Sequence, residues 1–339
     1  MIGAQFWPWF AQSHLPWQLG CFFGGLLVFH LLERRAPVVP HHTGPARRGY
    51  LADITATLVD GPFLAGLTKI VAYYLIVKVP AVWGLLASWN VWWQFALFFV
   101  VNDFMRYWLH RWYHESDLLW RIHRVHHTVC EMDAMSTFRV HVFEGIIKYG
   151  VIILPFQLFG IDRDVVLVYS CIDILKGFWH HANLRTYIGP LNYVLNSAEL
   201  HWWHHSIEGR GQRSNYGSTL SIWDWLFGTA YWPKGQWPEQ IGVEAMQAFP
   251  DDYLRQFASV RFTDDEVRRA YPAGAADRAG RADGISCTDR AESAARSELG
   301  NRSSAASGAD GATHSDFAAG TPVAENSADG AESPALASR

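Results

Sequence analysis

Residues 103–127 read DFMRYWLHRWYHESDLLWRIHRVHH. His110 and His114 form a first cluster in this stretch, and His123, His126 and His127 form a second. A third stands downstream in ELHWWHH, as His201, His204 and His205. Spacings of three and four residues predict that each set points from one face of a helix. Neutral imidazole is the commonest nitrogen ligand for iron, zinc and copper. Eight such nitrogens are too many for one tetrahedral site. They are enough for two metal ions with coordination positions left open. His14, His30, His41 and His42 fall outside the clusters and are read as ordinary structural histidines.

Other metal chemistries fail against the letters. The zinc-protease pattern HExxH is absent, because Leu118 stands where the second histidine after His114-Glu115 should be. Carboxylate di-iron bundles need Glu-x-x-His pairs, and no ExxH occurs in the chain. Zinc-finger spacing is missing too. The predicted site is almost entirely nitrogen, carried on helices.

Composition divides the chain. All 17 tryptophans lie before Pro272, in a body dense in Leu, Val and Phe. From Ala273 onward the chain is Ala, Gly, Ser, Asp, Glu and Arg with one aromatic, Phe317. Such a stretch buries too little apolar surface to offset its ordering entropy and is expected to be a disordered tail. The tail dilutes the apolar body, which is why mean hydropathy is −0.02. A net charge of −4 gives no reason to expect nucleic acid. The four cysteines are scattered, with no CxxC, so a reduced compartment is expected. The first basic residue is Arg34, which leaves no positive n-region for a signal peptide.

Membrane spans need roughly 20 mostly apolar residues. Trp17–Leu32 is uncharged, Gly61–Val77 is interrupted by Lys69, and Val79–Val101 carries no Asp, Glu, Lys or Arg. The third span is expected to start near Val91 and run into the first histidine cluster. Tyr149–Ile161 and Val165–Leu175 are apolar but short, broken by Gly160, Asp162, Arg163 and Asp164, and suggest a hairpin that enters the membrane and returns. Arg34, Arg35, Arg47 and Arg48 after the first span place that side in the cytoplasm. Three crossings then put every histidine cluster on the cytoplasmic side. The fold class expected is all-α, an integral-membrane helical bundle with a cytoplasmic histidine-rich di-metal site. Its parts are N-terminal spans (1–90), a catalytic domain (91–233), a cytoplasmic extension (234–272) and the tail (273–339).

The chain resembles the fatty acid hydroxylase / sterol desaturase superfamily of integral-membrane di-iron enzymes over roughly residues 95–233. The resemblance rests on DFxxYWxHRxxH, on LLWxxHxxHH at Leu118–His127, on HANLR at His181–Arg185, and on NYGSTLSIWDWLFGT at Asn215–Thr229. It implies a helical membrane fold, two Fe ions, O2 as co-substrate and an external electron donor. It also implies that His110, His114, His123, His126, His127, His201, His204 and His205 are ligands and catalytic, with His181 as a ninth ligand. His180 is out of register and is expected beside the site. The family often has Arg-x-His-Pro-x-Glu after the second motif. Here the stretch is Arg139-Val140-His141-Val142-Phe143-Glu144, so His141 is taken as a hydrogen-bonding orienter.

Asp103, Glu115, Asp173, Asn183 and Glu199 are the polar neighbours expected to bond the second imidazole nitrogens. Trp120, Trp179, Trp202 and Trp203 sit beside ligands. They are read mainly as membrane-interface anchors, with channel lining as the alternative. No nucleotide fingerprint and no haem-binding HPGG segment occurs, so electrons are expected from a separate ferredoxin or cytochrome b5 type protein. The function expected is hydroxylation of a C–H bond in a membrane lipid. A desaturase using the same site is the alternative. A metal-transport protein is disfavoured, because its ionisable residues would be spread along the spans.

Overall fold

The computed structural model describes residues 14–39, 49–59, 84–129, 131–243, 249 and 252–270. The described residues are helical throughout, with two isolated β-bridges and no strands. Gly61–Val77 and residues 271–339 lie outside them.

Helix α1 (His14–Glu33) packs against the chain's central helices. A further helical stretch covers 50–59. The long α2 (Val91–Glu115) starts at Asn90, whose side chain accepts the Trp92 amide at 2.9 Å. It stops at Ser116, which is extended, and α3 (Asp117–His127) follows at once. That break brings the second histidine cluster onto the first.

A helical hairpin lies where one was expected and is longer than its apolar letters suggest. Its outgoing arm is α4 (Val142–Lys148), a wider π turn (Tyr149–Ile153) and α5 (Leu154–Leu158). Gly160 turns the chain with φ +79°, a conformation open to glycine. The return arm is α6 (Arg163–His181), capped by Asp162. Phe98 from α2 packs edge-on against Phe156 and Tyr169 of the two arms. On its other side α6 meets α1 through Phe178, Phe22 and Phe29. The approach of the Thr137 turn to α6 is so close that a Cβ on Gly177 would lie 2.6 Å from Thr137 Cγ2.

Short helices follow among the described residues: α7 (Ala198–His204), α8 (Ile222–Phe227), α9 (Tyr253–Ser259) and α10 (Asp264–Ala270). Among the described residues no helix is long and apolar enough to cross a membrane. Both candidates carry polar positions: Glu33 closes α1, and α2 holds Asn102, Asp103 and Arg106 before its histidines.

Three N-terminal segments lock onto this frame. Glu33 Oε1 accepts the backbone amides of Ala134 (2.8 Å) and Asn183 (2.9 Å). Asn183 Oδ1 accepts those of Val38 and Val39, both at 2.9 Å. The buried Arg139 guanidinium pairs with Asp53 and donates to Gly49 O (2.9 Å) and Thr128 O (3.0 Å).

Candidate metal centre

The structure brings all nine histidines singled out above into two adjacent groups. One holds His110, His114, His123, His127 and His204. The other holds His126, His181, His201 and His205. Within each group one ring nitrogen per residue lies within 4.8 Å of every other. The groups touch where the His127 and His205 rings stack, centroids 4.3 Å apart.

The clusters do not stay together as their spacing suggested. His123 and His127 go to one group and His126 to the other; His201 and His205 go to one and His204 to the other. A helix turns about 100° per residue, so positions i and i+4 lie about 40° apart while i+3 falls about 60° to the opposite side. Each HxxHH therefore contributes to both groups: its i, i+4 pair faces one and its middle histidine the other.

Ring nitrogens converge as ligands would. Nε2 of His123 lies 3.1 Å from Nε2 of His110 and 3.2 Å from that of His127. In the second group Nε2 of His181 lies 3.1 Å from that of His126, and Nε2 of His201 lies 3.1 Å from those of His181 and His205. Each neutral Nε2 offers either one proton or one lone pair, so a run of three such contacts across four nitrogens cannot be satisfied by hydrogen bonds. A shared cation satisfies it. At a metal–nitrogen distance of about 2.1 Å, ligands at right angles stand roughly 3.0 Å apart, close to the spacing seen. The buried Nε2 atoms of His114 and His204 have no hydrogen-bond partner. The residues thus fit a pair of metal ions.

The far nitrogens set the tautomers. Nδ1 of His110 donates to Tyr216 O (2.9 Å), of His126 to Arg139 O (3.1 Å), of His204 to Ser214 O (2.7 Å) and of His181 to Gly177 O (3.0 Å). His123 Nδ1 donates to Glu144 Oε2 at 2.9 Å. Each bond leaves Nε2 with its lone pair aimed at the centre. None of the five polar side chains expected in this role fills it. Asp103 accepts the amides of Thr219 and Leu220 and the Trp223 indole; Glu115 pairs with Arg111; Asp173 pairs with Arg106 and Lys176; Glu199 accepts from Asn192 and Gly235. Asn183 holds the segment at Val38. Backbone carbonyls do most of the work, and carbonyls have no letter in a sequence.

Two of those carbonyls flank Asn215, the first residue of the later motif. Asn215 sits in the left-handed region at φ 55°, which Asn tolerates better than most residues. Its side chain bonds Leu200 O, Tyr231 O and Tyr231 N at 2.8–2.9 Å. This twist turns both neighbouring carbonyls, Ser214 and Tyr216, toward ligands. Asp224 fastens the same loop through the amides of Tyr216 and Gly217, each at 2.8 Å. Burial pushes the Asp224 carboxyl up to about 6.

Burial, then the neighbouring imidazoles, hold His126, His127, His201 and His205 well below the usual histidine range. Burial also brings His204 down to about 3. These rings are neutral at physiological pH, the form a metal requires.

His141 stands apart. Its Nδ1 accepts the Phe143 amide at 3.2 Å, capping α4, and its ring stacks on Phe257. His180 lies beside the second group and bonds Asn196 O at 2.8 Å. The tryptophans divide differently from expectation. Trp202 and Trp203 are buried, not interfacial, and bond Ala182 O and Gln236 O. Trp179 packs against the core around Trp202. Trp120 alone stands at the rings, its centroid 5.1 Å from His114 and 5.5 Å from His127.

A cavity of about 170 Å³ abuts both groups, walled on that side by His110 and His123 and by His126, His181 and His201. Arg106, Lys148, Asp173 and Lys176 line it as well, and of these four only Asp173 was expected near the site.

Residues 95–229 match the fatty acid hydroxylase family. The chain is similar to ornithine lipid hydroxylase OlsE of Rhizobium tropici, 33% identical over 171 residues, which cover 50% of this chain and 51% of that protein. It is similar to alkylglycerol monooxygenase of Homo sapiens, 32% identical over 141 residues, 42% of this chain and 31% of that one. It also matches very-long-chain aldehyde decarbonylase GL1-8 of Oryza sativa subsp. japonica, 29% identical over 138 residues, 40% and 51% of the two chains. The chain thus spans about half or less of the length of these relatives. No solved structure matches it. The family match is confined to the segment that carries all nine converging histidines, and over that segment the chain is similar to the fatty acid hydroxylase family.

Proposed function

We propose that this protein is an O2-dependent oxidoreductase that hydroxylates a C–H bond of a membrane lipid with two iron ions. His110, His114, His123, His127 and His204 hold one ion, and His126, His181, His201 and His205 the other. The observation that carries this reading is the cavity in contact with both groups. When bound, the irons supply the dioxygen chemistry that side chains cannot. The chain's own residues hold that chemistry in place. Glu144 and the carbonyls of Tyr216, Arg139, Ser214 and Gly177 keep the ligand rings in one tautomer and orientation. The buried rings around the cavity exclude bulk water from the reacting carbon.

Relatives named as a hydroxylase and as monooxygenases favour oxygen insertion over desaturation. Membrane attachment is part of the proposal and is supported by the surface of α1. Its Phe22 and Phe29 face protein, while Phe23, Leu27 and Leu31, four residues apart, are 52–61% exposed. A helix apolar all round needs a second apolar medium. Trp92 and Trp93 at the start of α2 are exposed in the same way. Electrons come from a separate redox protein of ferredoxin or cytochrome b5 type, and the site faces the cytoplasm.

The test is lipid profiling under ¹⁸O2 of cells with and without the chain. A lipid heavier by one labelled oxygen is expected. A new double bond without label reverses the assignment to a desaturase, and an unchanged lipid profile refutes the reading.

A further inference from the structure

The charges that line the cavity beside the histidines are unequal. Arg106, Lys148 and Lys176 face the cavity together with Asp173 and Glu144. Asp173 Oδ1 already accepts from Arg106 Nη1 and Lys176 Nζ, both at 2.7 Å. Glu144 is committed to His123. Lys148, the last residue of α4, is half-buried. Its ammonium has no hydrogen bond and no ion pair among the described residues. A half-buried cation with no hydrogen-bonded partner is costly; Asp173 and Glu144 attract this one only through space, and it borders the space where a substrate must lie.

The size of that space limits what enters. A cavity of about 170 Å³ has room for roughly six water molecules at about 30 Å³ each. Sites that swallow a drug-sized ligand measure about 300–1,000 Å³. The cavity is therefore sized for one end of a lipid and not for the whole of its long chains.

We infer that Lys148 is an anion receptor and that the substrate carries a phosphate or carboxylate within a few bonds of the carbon oxidised. This deepens the lipid-hydroxylase reading and rests on it: the substrate class becomes lipids with an anionic group at the reacting end. Uncharged alcohol-headed lipids and the middle of an acyl chain are then poor occupants. A charge-assisted bond of this kind contributes roughly 1.5–3 kcal/mol, which is about tenfold or more in affinity.

The experiment is calorimetric binding to the full chain in detergent with its metals in place. Three probes of equal chain length are used: octyl phosphate, N-octanoylglycine and uncharged monooctanoylglycerol. At least one charged probe should bind tenfold or more tighter than monooctanoylglycerol, and the tighter of the two distinguishes a phosphate from a carboxylate receptor. Lys148→Met should abolish the preference, and Lys148→Arg should restore it to within about threefold. Equal binding of all three, no binding of any, or a preference that survives Lys148→Met would overturn the inference. Thermal unfolding and elemental analysis of each variant show that fold and metals are intact. The measurement needs no turnover, so a missing charge preference sinks this inference alone. Fewer than two metals per chain counts instead against the di-iron reading.

Discussion

Replacing Glu144 with alanine should weaken one metal position and spare the other. The carboxylate accepts His123 Nδ1–H at 2.9 Å, with the two side chains only 12% and 3% exposed. A hydrogen bond to a charged group contributes about 1.5–3 kcal/mol, and its loss leaves a buried N–H unsatisfied. Taking about 2 kcal/mol gives roughly a thirtyfold loss of affinity, inside the 10–100-fold range of outer-shell substitutions at metal sites. His123 belongs to the five-histidine group alone. His126 and His181 of the other group are held by Arg139 O and Gly177 O, which the substitution leaves in place. Glu144→Gln keeps an acceptor oxygen and loses only the charge, so its effect should be smaller. The assay is dialysis against graded chelator followed by elemental analysis. Wild type should shed its metals at similar chelator levels, and Glu144→Ala should pass through a broad plateau at one metal per chain. Parallel loss of both metals, or an unshifted curve, would refute the division of ligands described above.

Asn215→Ala removes three hydrogen bonds and places a Cβ-bearing residue with no compensating side chain in the left-handed region. The Ser214 and Tyr216 carbonyls should swing away, and metal content should fall in the five-histidine group, read by elemental analysis; full occupancy would contradict the role given to this loop. Gly177→Ala gains about 1 kcal/mol of helix propensity but forces an overlap with Thr137 costing about 1–3 kcal/mol. Thermal unfolding should show a net loss that Thr137→Ser relieves, and a stabilised Gly177→Ala would show the packing to be looser than described. The metal-free chain should become less stable as pH falls below about 6.5. His204 in the fold lies near 3, below its unfolded value, so its contribution is complete above pH 6.5 and is lost as pH falls toward 3. The slope is about 1.4 kcal/mol per pH unit for each such group. Unfolding midpoints of chelated protein between pH 8 and 5 test this, and a flat profile would refute it.

The convergence of the histidines was legible because imidazoles at helical spacing are rare and chemically explicit. The hairpin was legible from Gly160 and Asp162 between two apolar runs. What escaped was of two kinds. The sharing of each HxxHH between centres depends on the angle between i+3 and i+4, which a count of clustered residues discards. The outer contacts of the ligands are mostly main-chain carbonyls, placed by turns whose polar side chains look unrelated to metal binding. Asp103 and Asn183 drew notice for their charge or amide beside a ligand, yet both act on backbone far along the chain. The cavity's cationic wall combines α2, α4 and α6, and no local pattern connects Arg106, Lys148 and Lys176.

The hold of the N-terminal segments on the site has a consequence for portability. The family match starts at residue 95, and by similarity alone a transplanted piece from there onward looks self-sufficient. Yet Arg139, whose carbonyl orients His126, is anchored on Asp53 and Gly49, and the turn at Ala134 and Asn183 hangs on Glu33. A chimera that replaces the first 60 residues with a foreign segment would untie Arg139 without touching any of the nine histidines. Its lost activity would mimic a catalytic mutation, so grafting experiments on this scaffold should carry Glu33, Gly49 and Asp53 along as part of the metal site.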